Sequence, residues 1–138
     1  MSEPNATTSA PRNHPRALIF VVDDEPMLLE LAGVILEPRG YAVRTFRDPA
    51  AAIRTFSTAN PAPALIITDY SMHAMNGLDL IKACRQIHPQ QRILLVSGTV
   101  DEHVYRDSPD KPDRFLPKPY QAKDLVEAVE SLFAPQIA

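Results

Sequence analysis

Ala64-Leu65-Ile66-Ile67-Thr68-Asp69 is an apolar run that ends abruptly in a carboxylate. It is short, rich in β-branched residues and not alternating, which suits a strand covered on both faces, as in a parallel sheet between two layers of helices. Three further runs repeat the form: Ala17 to Val22 leads into Asp23-Asp24, Arg92 to Val96 into Ser97, and Phe115-Leu116-Pro117 into Lys118. Tyr41 to Phe46 reads as one more strand. Four strand ends thus present three carboxylates, a hydroxyl and an ammonium.

The segments between these runs carry helical spacing. Pro26 suits a first helical turn, and Leu28, Leu31, Ala32 and Ile35 recur on one stripe until Pro38 and Gly40 end the helix. Asp48-Pro49 is a helix start with the Asp as cap, and Ala51, Ala52, Ile53 and Phe56 carry it on. Gly77 opens a third helix with Leu80, Cys84 and Ile87 on one face, and the last helix, from about Gln121, buries Leu125, Ala128, Val129 and Leu132. Thr99 to Asp107 is only feebly amphipathic, and Pro109 and Pro112 forbid a regular helix after it, so two turns at most and then a loop are expected there. Strands alternating with helices predict a doubly wound α/β fold, whose ligands bind outside the carboxyl ends of the strands.

The chain of 138 residues encloses one core. Residues 1–16, rich in Pro, Ser, Thr and Asn, read as a disordered arm without the apolar stretch of a signal peptide, 17–134 as the folded domain, and 135–138 as a tail. One cysteine excludes an internal disulfide, and Cys84 on an apolar helix face reads as core. A formal charge of −3 without a basic run gives no reason to expect direct nucleic-acid binding, and no stretch is long enough to span a membrane, so the expected location is cytoplasmic.

Two carboxylates about 4 Å apart repel by roughly 4 kcal/mol at an effective dielectric near 20. Asp23, Asp24 and Asp69 together therefore need a counter-charge. Oxygen-only ligands favour a hard divalent ion, Mg²⁺ or Mn²⁺, over zinc. An ionised Asp beside such an ion can act as a nucleophile toward phosphorus, with Lys118 neutralising the transferring group and the Ser97 hydroxyl donating to it. His14, His73, His88 and His103 share no metal-ligand spacing and read as solvated, His73 alone lying near the pocket. Met72 and Met75 read as packing residues.

Asp23-Asp24-Glu25, Asp69-Tyr70-Ser71-Met72 leading to Asn76-Gly77, Ser97-Gly98 and Lys118-Pro119 stand in the order of, and the chain resembles, the receiver domain of two-component response regulators over about residues 17 to 133. The resemblance implies a flavodoxin-like, five-stranded parallel sheet of order 2-1-3-4-5 with helices on both faces. It implies Asp69 as phospho-acceptor, Asp23 and Asp24 as the acidic pair of the metal site, and the Ser71 backbone carbonyl as a further ligand. Ser97 matches the switch hydroxyl, Lys118 the phosphate-binding lysine and Phe115 the aromatic that changes rotamer on activation, and the Lys118-Pro119 bond is expected to be cis. The implied partners are a histidine kinase or histidine phosphotransfer protein upstream and an unidentified protein downstream, with no enzymatic turnover of the domain's own.

His73 stands where the family usually has proline, Phe115 lacks the hydroxyl of the more frequent tyrosine, and a Pro-rich stretch from Ser108 to Asp113 replaces the usual end of the fourth helix. Three alternatives remain. A phosphatase resembling the haloacid dehalogenase group also uses an Asp nucleophile and Mg²⁺, but it places a second acid where this chain has Ser71. A flavodoxin-like cofactor carrier would meet Asp23-Asp24-Glu25, which repel a phosphate. A receiver fold that binds partners without phosphorylation leaves the five site residues unexplained.

Overall fold

The computed structural model describes residues 17–133. The expected arm over 1–16 and the tail over 135–138 lie outside the described residues. Within them the chain runs β1 (Leu18–Val22), α1 (Pro26–Leu36), a 3₁₀ turn (Glu37–Arg39), β2 (Ala42–Phe46), α2 (Pro49–Thr58), β3 (Leu65–Asp69), α3 (Gly77–Ile87), β4 (Ile93–Ser97), a second 3₁₀ turn (Glu102–Tyr105), β5 (Arg114–Pro117) and α4 (Ala122–Phe133). The five strands form one parallel sheet in the order β2-β1-β3-β4-β5. The expected architecture and strand order are both found.

Successive strand residues point to opposite faces, and each face acquires its own core. Ile19, Val21, Leu65, Ile67, Leu94 and Val96 pack under α1 and α4, against Leu29, Leu36, Leu125 and Val129. Phe20, Val22, Ile66 and Ile93 pack under α2 and α3, against Phe56, Leu80, Ile81 and Cys84. This double coverage is why β3 and β4 are buried along their whole length. Cys84 is core, and burial lifts its thiol to about 11, which removes it as a nucleophile.

Local signals explain where the helices begin. Asp48 caps α2 by accepting from the Ala50 amide at 3.1 Å, with Pro49 as first residue. Asn76 and Asp79, three residues apart, close a reciprocal capping box at the start of α3. Gly40, at φ 98°, ends the turn after α1 in the left-handed region.

Two helix faces differ from expectation. In α1 the buried stripe is Leu29, Ala32 and Leu36, while Leu31 is 41% exposed and Leu28 lies half-buried at the edge. A helix this rich in leucine carries two overlapping stripes at i, i+3 and i+4, and the sheet takes the one a residue further on. In α3 Ile81 joins Leu80 and Cys84 in the core, and Ile87 is 42% exposed at the last turn.

The fourth connection is a single turn capped by Asp101, whose Oδ1 accepts from the His103 amide at 2.9 Å. The Pro-rich segment after it is held by Arg85 of α3. The guanidinium donates to the carbonyls of Gln91 and Lys111 and pairs with Asp113 Oδ2 at 2.8 Å. The same Asp113 carboxylate accepts from the Ile93 amide at 2.7 Å, fixing the entry of β4.

Candidate functional site

Register builds the site. Val22 pairs with Thr68 and Asp69 with Val96, so Asp23, one residue past β1, stands beside Asp69 at the end of β3. Ser97 pairs with Pro117, which sets Lys118 just beyond the end of β5, its amide donating to the Ser97 carbonyl at 2.8 Å. The carboxylates of Asp23, Asp24 and Asp69 each offer an oxygen within 4.8 Å of the others. Lys118 Nζ lies 3.3 Å from Asp23 Oδ2 and 3.3 Å from Asp69 Oδ1.

Electrostatics follow from burial. The Asp69 side chain is 10% exposed. Its carboxyl is held above the usual range first by desolvation and then by Asp23, against the opposing pull of Lys118. Burial alone would lower Lys118, but the charges of Asp23 and Asp69 outweigh it and leave the ammonium above its ordinary value. One ammonium against three carboxylates leaves the cluster short of positive charge. Three carboxylate oxygens so close together, with no nitrogen or sulfur among them, fit a hard divalent cation.

Ser97 lies at the same edge, whereas Phe115 sits two residues before the end of β5, opposite Leu95. Ser97 is buried, and its Oγ accepts from the amides of Thr99 and Val100 at 3.0 and 3.1 Å. Thr99 Oγ1 lies 3.2 Å from Ser97 Oγ and 2.8 Å from Ser71 Oγ, so three hydroxyls form a chain across the two loops. Nothing in the sequence context of Thr99 marks it for this position, because its partner Ser71 lies 28 residues away. Phe115 is half-buried with its ring 6.3 Å from that of Tyr105. The Lys118-Pro119 bond is cis, as expected, and Asn60-Pro61 is cis as well.

Gly77 seats the loop that carries Ser71. A Cβ there would stand 2.6 Å from Leu95 Cδ1 and 2.7 Å from the Asp69 carbonyl oxygen, so only glycine lets the start of α3 settle on the end of β3. Its amide donates to the Tyr70 carbonyl at 2.8 Å. Met72 and Met75 pack against the core below, as expected. The described histidines are exposed, as expected, and each has a neighbour. His73 Nδ1 lies 3.3 Å from Asp24 Oδ2, His103 pairs with Asp101, and the His88 ring meets Phe56 edge-on, while His14 lies outside the described residues.

A groove of about 470 Å³ opens beside the pocket, lined by Leu28, Leu31, Gly98, Lys118, Pro119 and Tyr120. The leucines that the core left on the outer stripe of α1 form its apolar wall. Among the described residues no helix is long and apolar enough to cross a membrane.

A strand-end cluster of acid pair, lone aspartate, hydroxyl and lysine on a 2-1-3-4-5 parallel sheet defines a class of signalling domain, and the sequence matches the model of the response regulator receiver domain over residues 19–130. The chain belongs to that family. It is 29% identical over 122 residues to the sensor kinase CckA of Brucella abortus, a match covering 87% of this chain and 13% of that protein. It is 32% identical over 119 residues to the nitrogen assimilation regulatory protein NtrX of Azorhizobium caulinodans, covering 81% of this chain and 25% of that one. The chain thus spans a quarter or less of the length of these two relatives. Among solved structures, a receiver domain protein from Clostridium thermocellum superposes with a TM-score of 0.77 at 26% identity, covering 85% of this chain and 94% of that one. The response regulator TrrA of Thermotoga maritima, solved in complex with Mg²⁺ and BeF, gives 0.72 at 29% identity over 83% and 97%. Membership of this family disfavours the dehalogenase-type phosphatase. Where that chemistry wants a second acid, the Ser71 hydroxyl is bonded to Thr99.

Proposed function

We propose that this receiver accepts a phosphoryl group on Asp69 from a phosphohistidine of a histidine kinase or phosphotransfer protein, and signals to a downstream protein by a change of shape. The observation that carries this reading is one lysine 3.3 Å from two of three carboxylates gathered at aligned strand ends. An Asp69 carboxylate oxygen attacks phosphorus, the bond from phosphorus to the donor imidazole nitrogen breaks, and its electron pair stays on that nitrogen. Asp23, Asp24, Asp69 and the Ser71 backbone carbonyl would hold Mg²⁺ or Mn²⁺. Such an ion, when bound, neutralises the approaching phosphoryl oxygens. Lys118 leaves its place between Asp23 and Asp69 to meet one phosphoryl oxygen, and Ser97 turns from its own loop to donate to another. The turn of Ser97 vacates space beside β5, which Phe115 fills by rotating inward from Tyr105.

The relative TrrA, solved with Mg²⁺ and BeF, supports the metal and phosphoryl parts of this reading. Incubation with a small phosphodonor and Mg²⁺ tests it, with intact mass as the readout. The mass is expected to rise by one phosphoryl unit and to stay unchanged in Asp69→Ala or in excess chelator. Labelling that survives Asp69→Ala would place the acceptor elsewhere.

A further inference from the structure

The imidazole of His73 stands at the rim of the carboxylate pocket, its Nδ1 3.3 Å from Asp24 Oδ2. Its side chain is 95% exposed, so no packing holds it there or keeps it from moving closer. Two neighbouring ligands of an octahedral ion with bonds of about 2.1 Å lie roughly 3 Å apart. Nδ1 and Oδ2 are spaced much as two donors of one ion, while only the Asp23, Asp24 and Asp69 oxygens already lie within 4.8 Å of one another, so His73 joins the set by turning inward. His73 also lies only two residues beyond Ser71, in a loop without regular structure between β3 and α3, so the chain brings it to the pocket without displacing any core residue.

A nitrogen donor changes what the pocket selects. Mg²⁺ keeps to oxygen and retains its waters, whereas first-row transition ions accept imidazole with an affinity that rises from Mn²⁺ through Co²⁺ to Ni²⁺. We propose that His73 is a fourth side-chain donor of this pocket, giving a transition ion bound by Asp23, Asp24 and Asp69 a nitrogen ligand and tilting selection away from Mg²⁺ toward ions of the Co²⁺ and Ni²⁺ class. The inference rests on the metal reading above. A His73 that merely hydrogen-bonds Asp24 would influence every ion alike; a His73 that ligates discriminates between them.

The test titrates the unmodified chain, His73→Ala and Asp24→Asn with Mg²⁺ alone and with Co²⁺ alone, by calorimetry. For Co²⁺, proton NMR is added to look for a paramagnetically shifted, exchangeable imidazole N–H. His73→Ala is expected to weaken Co²⁺ by at least about tenfold while changing Mg²⁺ by less than about twofold. The shifted N–H should vanish in that variant, and Asp24→Asn should weaken both ions. Equal losses for the two ions, or Co²⁺ binding without a shifted imidazole resonance, would overturn the proposal while leaving the metal reading in place. Failure of both ions to bind the unmodified chain would overturn the metal reading and the proposal together.

Discussion

At Asp69 burial and reactivity pull against each other. Its carboxyl is raised chiefly by desolvation, so the folded state binds its proton more tightly than the unfolded chain does. For such a group ionisation costs stability. The cost sets in as pH rises from the unfolded value through the folded one, and persists in full above it. Without metal, Asp69→Asn is therefore expected to be more stable than the unmodified chain at neutral pH, with a higher Tm. The gap should close as pH falls below the ordinary carboxylate range. Thermal unfolding in chelator across about pH 3 to 8 checks this, and a gap that ignores pH would point to packing rather than charge. Lys118 runs the other way, its contribution present below the ordinary lysine range and lost only as pH climbs through its raised folded value.

At the scale of elements, α1 and the start of α3 make the sharpest claims. Met27, Leu31 and Val34 follow one another at helical spacing on the outer face of α1 and are 76%, 41% and 64% exposed, and Leu31 lines the groove that reaches Lys118. On the proposed phosphotransfer reading, a protein donor would need a foothold that a small phosphodonor does not, and this face offers one. The double variant Met27→Asp with Leu31→Asp is expected to slow phosphotransfer from a phosphohistidine protein by about tenfold or more, while labelling by the small donor stays within about twofold. Equal slowing of both would mean that this face positions the pocket and does not receive a partner. At α3, Gly77→Ala sets a modest helix-propensity gain against a clash with Leu95 and the Asp69 carbonyl, and the clash wins. A loss of about 1–3 kcal/mol is expected from the denaturant midpoint. An unchanged or raised midpoint would show that the β3–α3 junction yields easily. These two elements also mark how far the sequence could be read. Asp69, Asp23 and Lys118 are legible because each closes an apolar run, and register does the rest. The buried stripe of α1 is not legible, because Leu28, Leu29, Leu31, Ile35 and Leu36 satisfy two helical faces equally well and only the sheet decides between them. Thr99 and the anchoring of the Pro-rich segment by Arg85 were hidden for a related reason. Each depends on a partner far off in sequence, 28 residues away for Thr99 with Ser71 and for Arg85 with Asp113.

Over the whole molecule, the pocket is a property of the assembled sheet and of no single part. Asp23, Asp69 and Lys118 hang from β1, β3 and β5, and their meeting depends on every pairing between β1 and β5. His88, Pro89 and Gln90 form an exposed corner between α3 and β4, with Asp23, Asp24 and Asp69 before it and Ser97 and Lys118 after it. A chain cut at that corner would yield two pieces, one holding the acids and the other the hydroxyl and the ammonium. Neither piece alone should take up a phosphoryl group, and mixing them should restore uptake at a rate that grows with the concentration of the scarcer piece. The receiver would then serve as a split reporter, its two halves silent apart and labelled only when something brings them together. Labelling of the first piece by itself would show that the acids suffice without the strands that bring Lys118 to them.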